Sequence, residues 1–106
     1  MRKASYHILP NTERILADMG EQIKNARLRR NVTVELLAER SGISRTSIWK
    51  VERGDPSVAM GIYAAVLHGL NNMDRDLLLI AKDEPMIEKW KELNLNTRKR
   101  ASRRER

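Results

Sequence analysis

The side chains best suited to chemistry in this sequence are hydrogen-bond donors rather than nucleophiles, and they cluster: Ser44, Arg45, Thr46, Ser47, Trp49 and Lys50 lie within seven consecutive residues. On a helix, Arg45, Thr46, Trp49 and Lys50 share one outward, basic face. Arginine suits a two-pronged contact to a guanine edge, and lysine suits a guanine edge or a phosphate. A helix carrying them fills the major groove of duplex DNA, with its N-terminal side chains at the base edges. Trp49 either packs on a thymine methyl or a sugar, or is a half-buried surface residue. Ser44 and Ser47 are better suited to holding backbone and capping the helix.

Other chemistry finds little to work with. There is no cysteine, and the two histidines, His7 and His68, are far apart, so no cluster has metal-ligand spacing and no metal or cofactor is expected. The glycines form no phosphate-cradling loop, and the carboxylates are scattered as solubilising charges or helix-face partners. An enzyme is not expected. Twenty-one Lys and Arg against 14 Asp and Glu give a net charge of +7, which favours a polyanionic partner such as nucleic acid. Apolar runs such as Leu77 to Ala81 are far short of the roughly 20 residues that span a bilayer. No disulfide scaffold or secretory signal is evident, and a cytoplasmic protein is expected.

The donors must be held by a stiff pair of helices. From Val32 to Gly54, two short helical patterns flank a glycine: Thr33 to Ser41 carries Leu36, Leu37 and Ala38 inward, and Ser44 to Glu52 carries Ile48 and Val51. Thr33 and Ser44 sit where hydroxyl caps belong. Gly42 reverses the chain at positive φ, Ala38 is small enough for a close crossing, and Ile43 plugs the corner. This pattern is a helix-turn-helix.

Those residues, together with Arg27 and Glu52-Arg53-Gly54, resemble the lambda-repressor-like, or XRE-type, DNA-binding domains over roughly Met19 to Leu70. The resemblance implies an all-α, five- to six-helix domain in which Arg27 pairs with Glu52 at the end of the recognition helix. It also implies a Gln after the capping Thr, to touch a phosphate and brace that helix, where this chain has Val34.

The remaining chain is read as support. Residues 1–12 form a short N-terminal arm in which Tyr6, Ile8 and Leu9 either lie across the domain or grip DNA or a partner, ending in a Pro-Asn-Thr helix start. The helix-turn-helix domain covers 13–82. Its first helix, from about Glu13 to Arg30, buries Ile15, Leu16, Met19, Ile23 and Ala26, and Asn31 tolerates the left-handed turn that ends it. Ser57 caps a fourth helix from Val58 to about Gly69, with Met60, Tyr63, Val66, Leu67 and Leu70 inward. Asp74 caps a fifth through Ala81, whose Leu77, Leu78, Leu79 and Ile80 wrap too far round for one core face, so part of the set should meet a second copy. Residues 83–96 form an amphipathic helix with Met86, Ile87, Trp90 and Leu93 on one side, a further dimer or partner surface. Residues 97–106 are expected to be a basic, disordered tail with six Arg or Lys and one Glu, either a solvated end or an element that grips phosphates or a partner.

Within the family, GDPSVAMGIYAAVLHGLN and the basic C-terminal LNLNTRKRASRRER resemble HipB-type antitoxins. That likeness implies a homodimer on an inverted-repeat operator in double-stranded DNA. It also implies repression of its own operon in a two-gene HipBA or three-gene HipBST system and association with a HipA-like serine/threonine kinase toxin or its accessory subunit. A free-standing phage-type repressor and a protein-interaction adaptor that does not bind DNA are the alternatives.

Overall fold

The computed structural model describes residues 7–83. Among them, four α-helices and one 3-10 helix follow one another without a strand: α1 (Pro10–Arg29), α2 (Val34–Ser41), α3 (Arg45–Glu52), α4 (Met60–His68) and the 3-10 helix (Met73–Leu79). The expected C-terminal helix and basic tail, including Met86, Ile87, Trp90 and Leu93, lie outside the described residues, as do positions 1–6 of the arm.

α1 begins at Pro10, ahead of the expected Glu13. Proline fits the first helical turn because its missing N–H would have no partner there, and the Leu9 carbonyl accepts the Glu13 amide at 2.9 Å. At the other end, Asn31 turns the chain at φ 54°, and the Val32 amide returns to the Arg27 carbonyl at 3.1 Å.

The core sits where all four α-helices meet. Leu37, Ile48, Val51, Val66 and Leu70 are fully buried, with Ile23, Ala26, Val32, Tyr63 and Leu67 around them. Burial of each large apolar side chain is worth about 1.5–3 kcal/mol, so this small set is the main source of stability. Leu36, Ala38, Ile43 and Met19 pack partly buried against it.

Four expectations are corrected. Ile15 is 64% exposed, because the inward stripe of α1 runs through Met19, Gly20, Ile23, Ala26 and Arg27 and Ile15 lies off its line. Met60 opens α4 and projects from its first turn, 62% exposed, while the buried stripe starts at Tyr63. Ser57 does not cap α4, whose N-cap is Ala59 without a side-chain bond. The Ser57 amide and hydroxyl both donate to Asp55 Oδ1, at 2.8 and 2.7 Å, and an ionised acceptor two residues away outcompetes a helix terminus. Asp74 does not cap a fifth α-helix either. The segment is 3-10, its N-cap Asn72 is left-handed at φ 60°, and Asp74 Oδ2 faces His68 Nδ1 at 3.2 Å. Side chains three apart eclipse in a 3-10 helix. Its rows therefore spread the leucines around the axis, and no residue of the segment is buried.

Candidate nucleic-acid interface

α3 is set by both of its ends. At the start, Ser44 is extended and its hydroxyl accepts the Ser47 amide at 3.2 Å; in α2, the Thr33 hydroxyl accepts the Leu36 amide at 3.0 Å. Between them Gly42 stands at φ 72°, and its amide closes on the Ala38 carbonyl at 2.9 Å. A Cβ at Gly42 would touch nothing within 4 Å, so the demand for glycine there is conformational and not steric.

At its far end, α3 is fastened to α1. Arg27 donates Nε to Glu52 Oε2 at 2.6 Å and Nη2 to Oε1 at 3.2 Å, a two-pronged pair, while its Nη1 reaches the Val32 carbonyl at 3.0 Å. Both side chains are at most 10% exposed. Beside them, helix backbones touch: a Cβ on Gly20 would sit 2.5 Å from the Gly54 amide nitrogen and 2.7 Å from the Val51 carbonyl oxygen. Gly54, at φ 69°, abuts the Leu16 carbonyl. Tyr63 then ties the following link to α4, donating its hydroxyl to the Asp55 carbonyl at 2.8 Å. Burial, and then the Asp55 charge, push the Tyr63 phenol above its ordinary pKa.

With both ends fixed, α3 presents a cationic outer face. Arg45, Thr46 and Lys50 are exposed, Trp49 is 49% exposed, Ser44 is exposed at the cap, and Ser47 is half-buried beside it. Arg53, exposed at the C-cap, extends the basic edge, a role its place in the Glu-Arg-Gly motif did not suggest. Arg45 donates Nη1 to Glu35 Oε2 of α2 at 3.2 Å. The Glu35 carboxyl is held below its ordinary range, first by its own backbone N–H and then by Arg45. Sequence spacing did not bring out Glu35, because its partner lies ten residues away across the turn.

Other expected sites fall elsewhere. Leu77 is half-buried, whereas Leu78, Leu79 and Ile80 are 80, 60 and 67% exposed. Leu77 and Ile80 help line an apolar groove with Met19, Ile23, Ala26, Leu67 and Met73, away from α3. Among the described residues no group of three His, Cys, Asp or Glu is placed to hold a metal, and no helix is long and apolar enough to cross a membrane.

The matching family model is described as a helix-turn-helix domain and covers residues 18–78. Its match takes in α2, the Gly42 turn, α3 and the 3-10 helix except Leu79. No curated protein matches the chain.

Proposed function

The chain belongs to the helix-turn-helix family of the lambda-repressor-like kind and is a DNA-binding regulator, and from that premise we propose that it is a sequence-specific transcriptional repressor acting as a homodimer. The observation that carries this is the exposed cationic face of α3, with Arg45, Thr46, Trp49 and Lys50 outward on a helix fixed by caps at its start and by Arg27–Glu52 at its end. Arg45 reads a guanine edge, Lys50 takes a second guanine or a phosphate, and Ser44 and Ser47 hold the helix in register.

One eight-residue helix spans only a few base pairs, so a usable site needs two copies. The exposed Leu78, Leu79 and Ile80 supply an apolar surface for that pairing, and an inverted repeat is the matching operator. Met86, Ile87, Trp90 and Leu93 add to the dimer or to the surface for a protein partner. The likeness of the Gly-Asp-Pro link and basic C-terminal sequence to HipB-type antitoxins supports a place in a toxin-antitoxin operon, with a HipA-like kinase as that partner.

Selection of an operator from a random duplex pool, followed by gel shifts with Arg45→Ala, tests the DNA-reading proposal. The expected loss on the selected site is about 1–3 kcal/mol, with discrimination relaxed at one base pair. Unchanged affinity and discrimination would remove Arg45 as a reader. Co-purification with a kinase encoded beside this chain tests the antitoxin role, and its absence would leave a free-standing repressor.

A further inference from the structure

We propose that Glu35 is a specificity-determining residue of this DNA-reading surface: it positions the Arg45 guanidinium for a base edge and denies it to phosphates. The inference rests on the DNA-binding reading above and adds a carboxylate that the recognition helix does not itself contain.

Glu35 stands in the first turn of α2, and Arg45 is the first residue of α3, so the caps at Thr33 and Ser44 hold both backbones in place. Arg45 Nη1 donates to Glu35 Oε2 at 3.2 Å, and the two side chains are 59 and 66% exposed. A pair so open adds little to folding. Its place matters more, because it lies where a polyanion is expected to dock. Arg45, Lys50 and Arg53 are exposed along α3, and a carboxylate set against them weakens attraction to every phosphate alike. Such a charge is costly in a generic DNA binder and useful in a discriminating one.

Geometry makes it useful. A guanidinium has five N–H donors in a fixed planar fork, and Glu35 takes only Nη1, which leaves a fork edge for guanine O6 and N7. A freed arginine on an exposed stem would swing to the nearest phosphate, a contact that carries no sequence information. The carboxylate therefore removes rotamer freedom that binding would otherwise have to restrict, and it penalises the competing pose. Glu35 stays ionised at neutral pH, since its carboxyl is held below the ordinary range.

The test uses the full chain, the operator selected from a random pool, and a scrambled duplex, each titrated at several salt concentrations. Glu35→Ala should bind the scrambled duplex more tightly, steepen the log–log salt slope by up to about one unit, and lower discrimination roughly tenfold. Glu35→Gln, which keeps an acceptor but not the charge, should fall between. In an Arg45→Ala background, Glu35→Ala should leave discrimination unchanged, because the residue it positions is gone. Equal discrimination by wild type and Glu35→Ala, while Arg45→Ala still loses it, would overturn the role of Glu35 and leave the repressor intact. Failure of the wild type to prefer any selected duplex would instead overturn the DNA-reading proposal itself. A drop in melting temperature for Glu35→Ala would assign Glu35 to the fold and also overturn the inference.

Discussion

The seam between α1 and α3 and the 3-10 helix that follows α4 are both places where a helical segment meets the domain, yet they are finished to different degrees. At the seam, Gly20 and Gly54 bring backbones together and Arg27 spends its guanidinium on Glu52 and the Val32 carbonyl. In Met73–Leu79 no residue is buried, and Leu78, Leu79 and the following Ile80 face outward. Geometric precision is concentrated where the reading helix takes its direction, and surplus apolar surface is left where a second molecule can cover it. The proposed repressor role accounts for the contrast: a base-reading helix tolerates little tilt, whereas a surface for pairing must stay open until its partner arrives.

The largest expected effect tests the charged half of the seam. Glu52→Ala leaves Arg27 buried without its carboxylate, which should cost about 3–5 kcal/mol in urea unfolding, a large share of the roughly 5–15 kcal/mol that holds a domain together. Glu52→Gln should cost less, because one acceptor remains. A loss below about 0.5 kcal/mol for Glu52→Ala would mean that backbone packing alone holds α3, and the contrast would then rest on the glycines.

The glycines supply the next test and its own control. In a free helix, Gly→Ala is favourable by about 0.5–1 kcal/mol. At Gly20 the added Cβ would sit 2.5 Å from the Gly54 amide nitrogen, and backbone cannot step aside as a side chain does. Gly20→Ala should therefore destabilise by about 1–3 kcal/mol, as overpacked sites do. Gly61 lies in α4 with nothing within 4 Å of an added Cβ, so Gly61→Ala should stabilise. Two changes of the same sign would erase the distinction between a seam and an open helix.

These residues also mark what the sequence made legible. Thr33, Ser44, Gly42 and Asn31 each act through their own backbone or the next three residues, and their conformations match expectation. All-helical architecture followed from apolar periodicity in the same way. Gly20, by contrast, carries no signal in the sequence; its contact is with residues more than 30 positions on, which no local pattern encodes. Asp55 and Ser57 form their own turn, so the serine two residues before Ala59 has the sequence look of a cap without acting as one. Helix type after Asn72 is not legible either, because successive left-handed asparagines at φ 59° and 60° redirect the chain into a 3-10 path that a run of leucines does not announce. On the candidate interface, outward donors could be read from spacing, but the Arg45–Glu35 pair depends on how two helices cross.

A smaller effect probes the bridge from the seam to α4. Tyr63→Phe removes the bond to the Asp55 carbonyl and should cost about 0.5–1.5 kcal/mol at neutral pH. The pH dependence has a definite sign. The folded-state pKa of Tyr63 is raised, so its contribution is fully present below the unfolded value, and it is lost as pH rises through the folded one. The wild type should lose stability above about pH 10 more steeply than Tyr63→Phe, with the two curves converging. Parallel curves in thermal melts across that range would show that the phenol is not held by the fold.

The smallest effect on folding is expected at the open end. Leu78 and Leu79 are 80 and 60% exposed, so the paired change Leu78→Ser, Leu79→Ser removes little buried area and should shift unfolding of the isolated fold by no more than about 0.5 kcal/mol per site. Its effect on assembly should be large by comparison, because apolar side chains at the centre of a contact account for most of its affinity. Sedimentation at micromolar concentration should show a dimer for the wild type and a shift toward monomer for the variant. On an inverted repeat, the variant should occupy half-sites independently, without the coupling that joins two copies on one operator. If the leucines were instead a second core, unfolding and assembly would weaken together by 1 kcal/mol or more, and the open end would prove to be as finished as the seam. If neither changed, pairing would have to use another surface, for which Met86, Ile87, Trp90 and Leu93 are the next residues to replace.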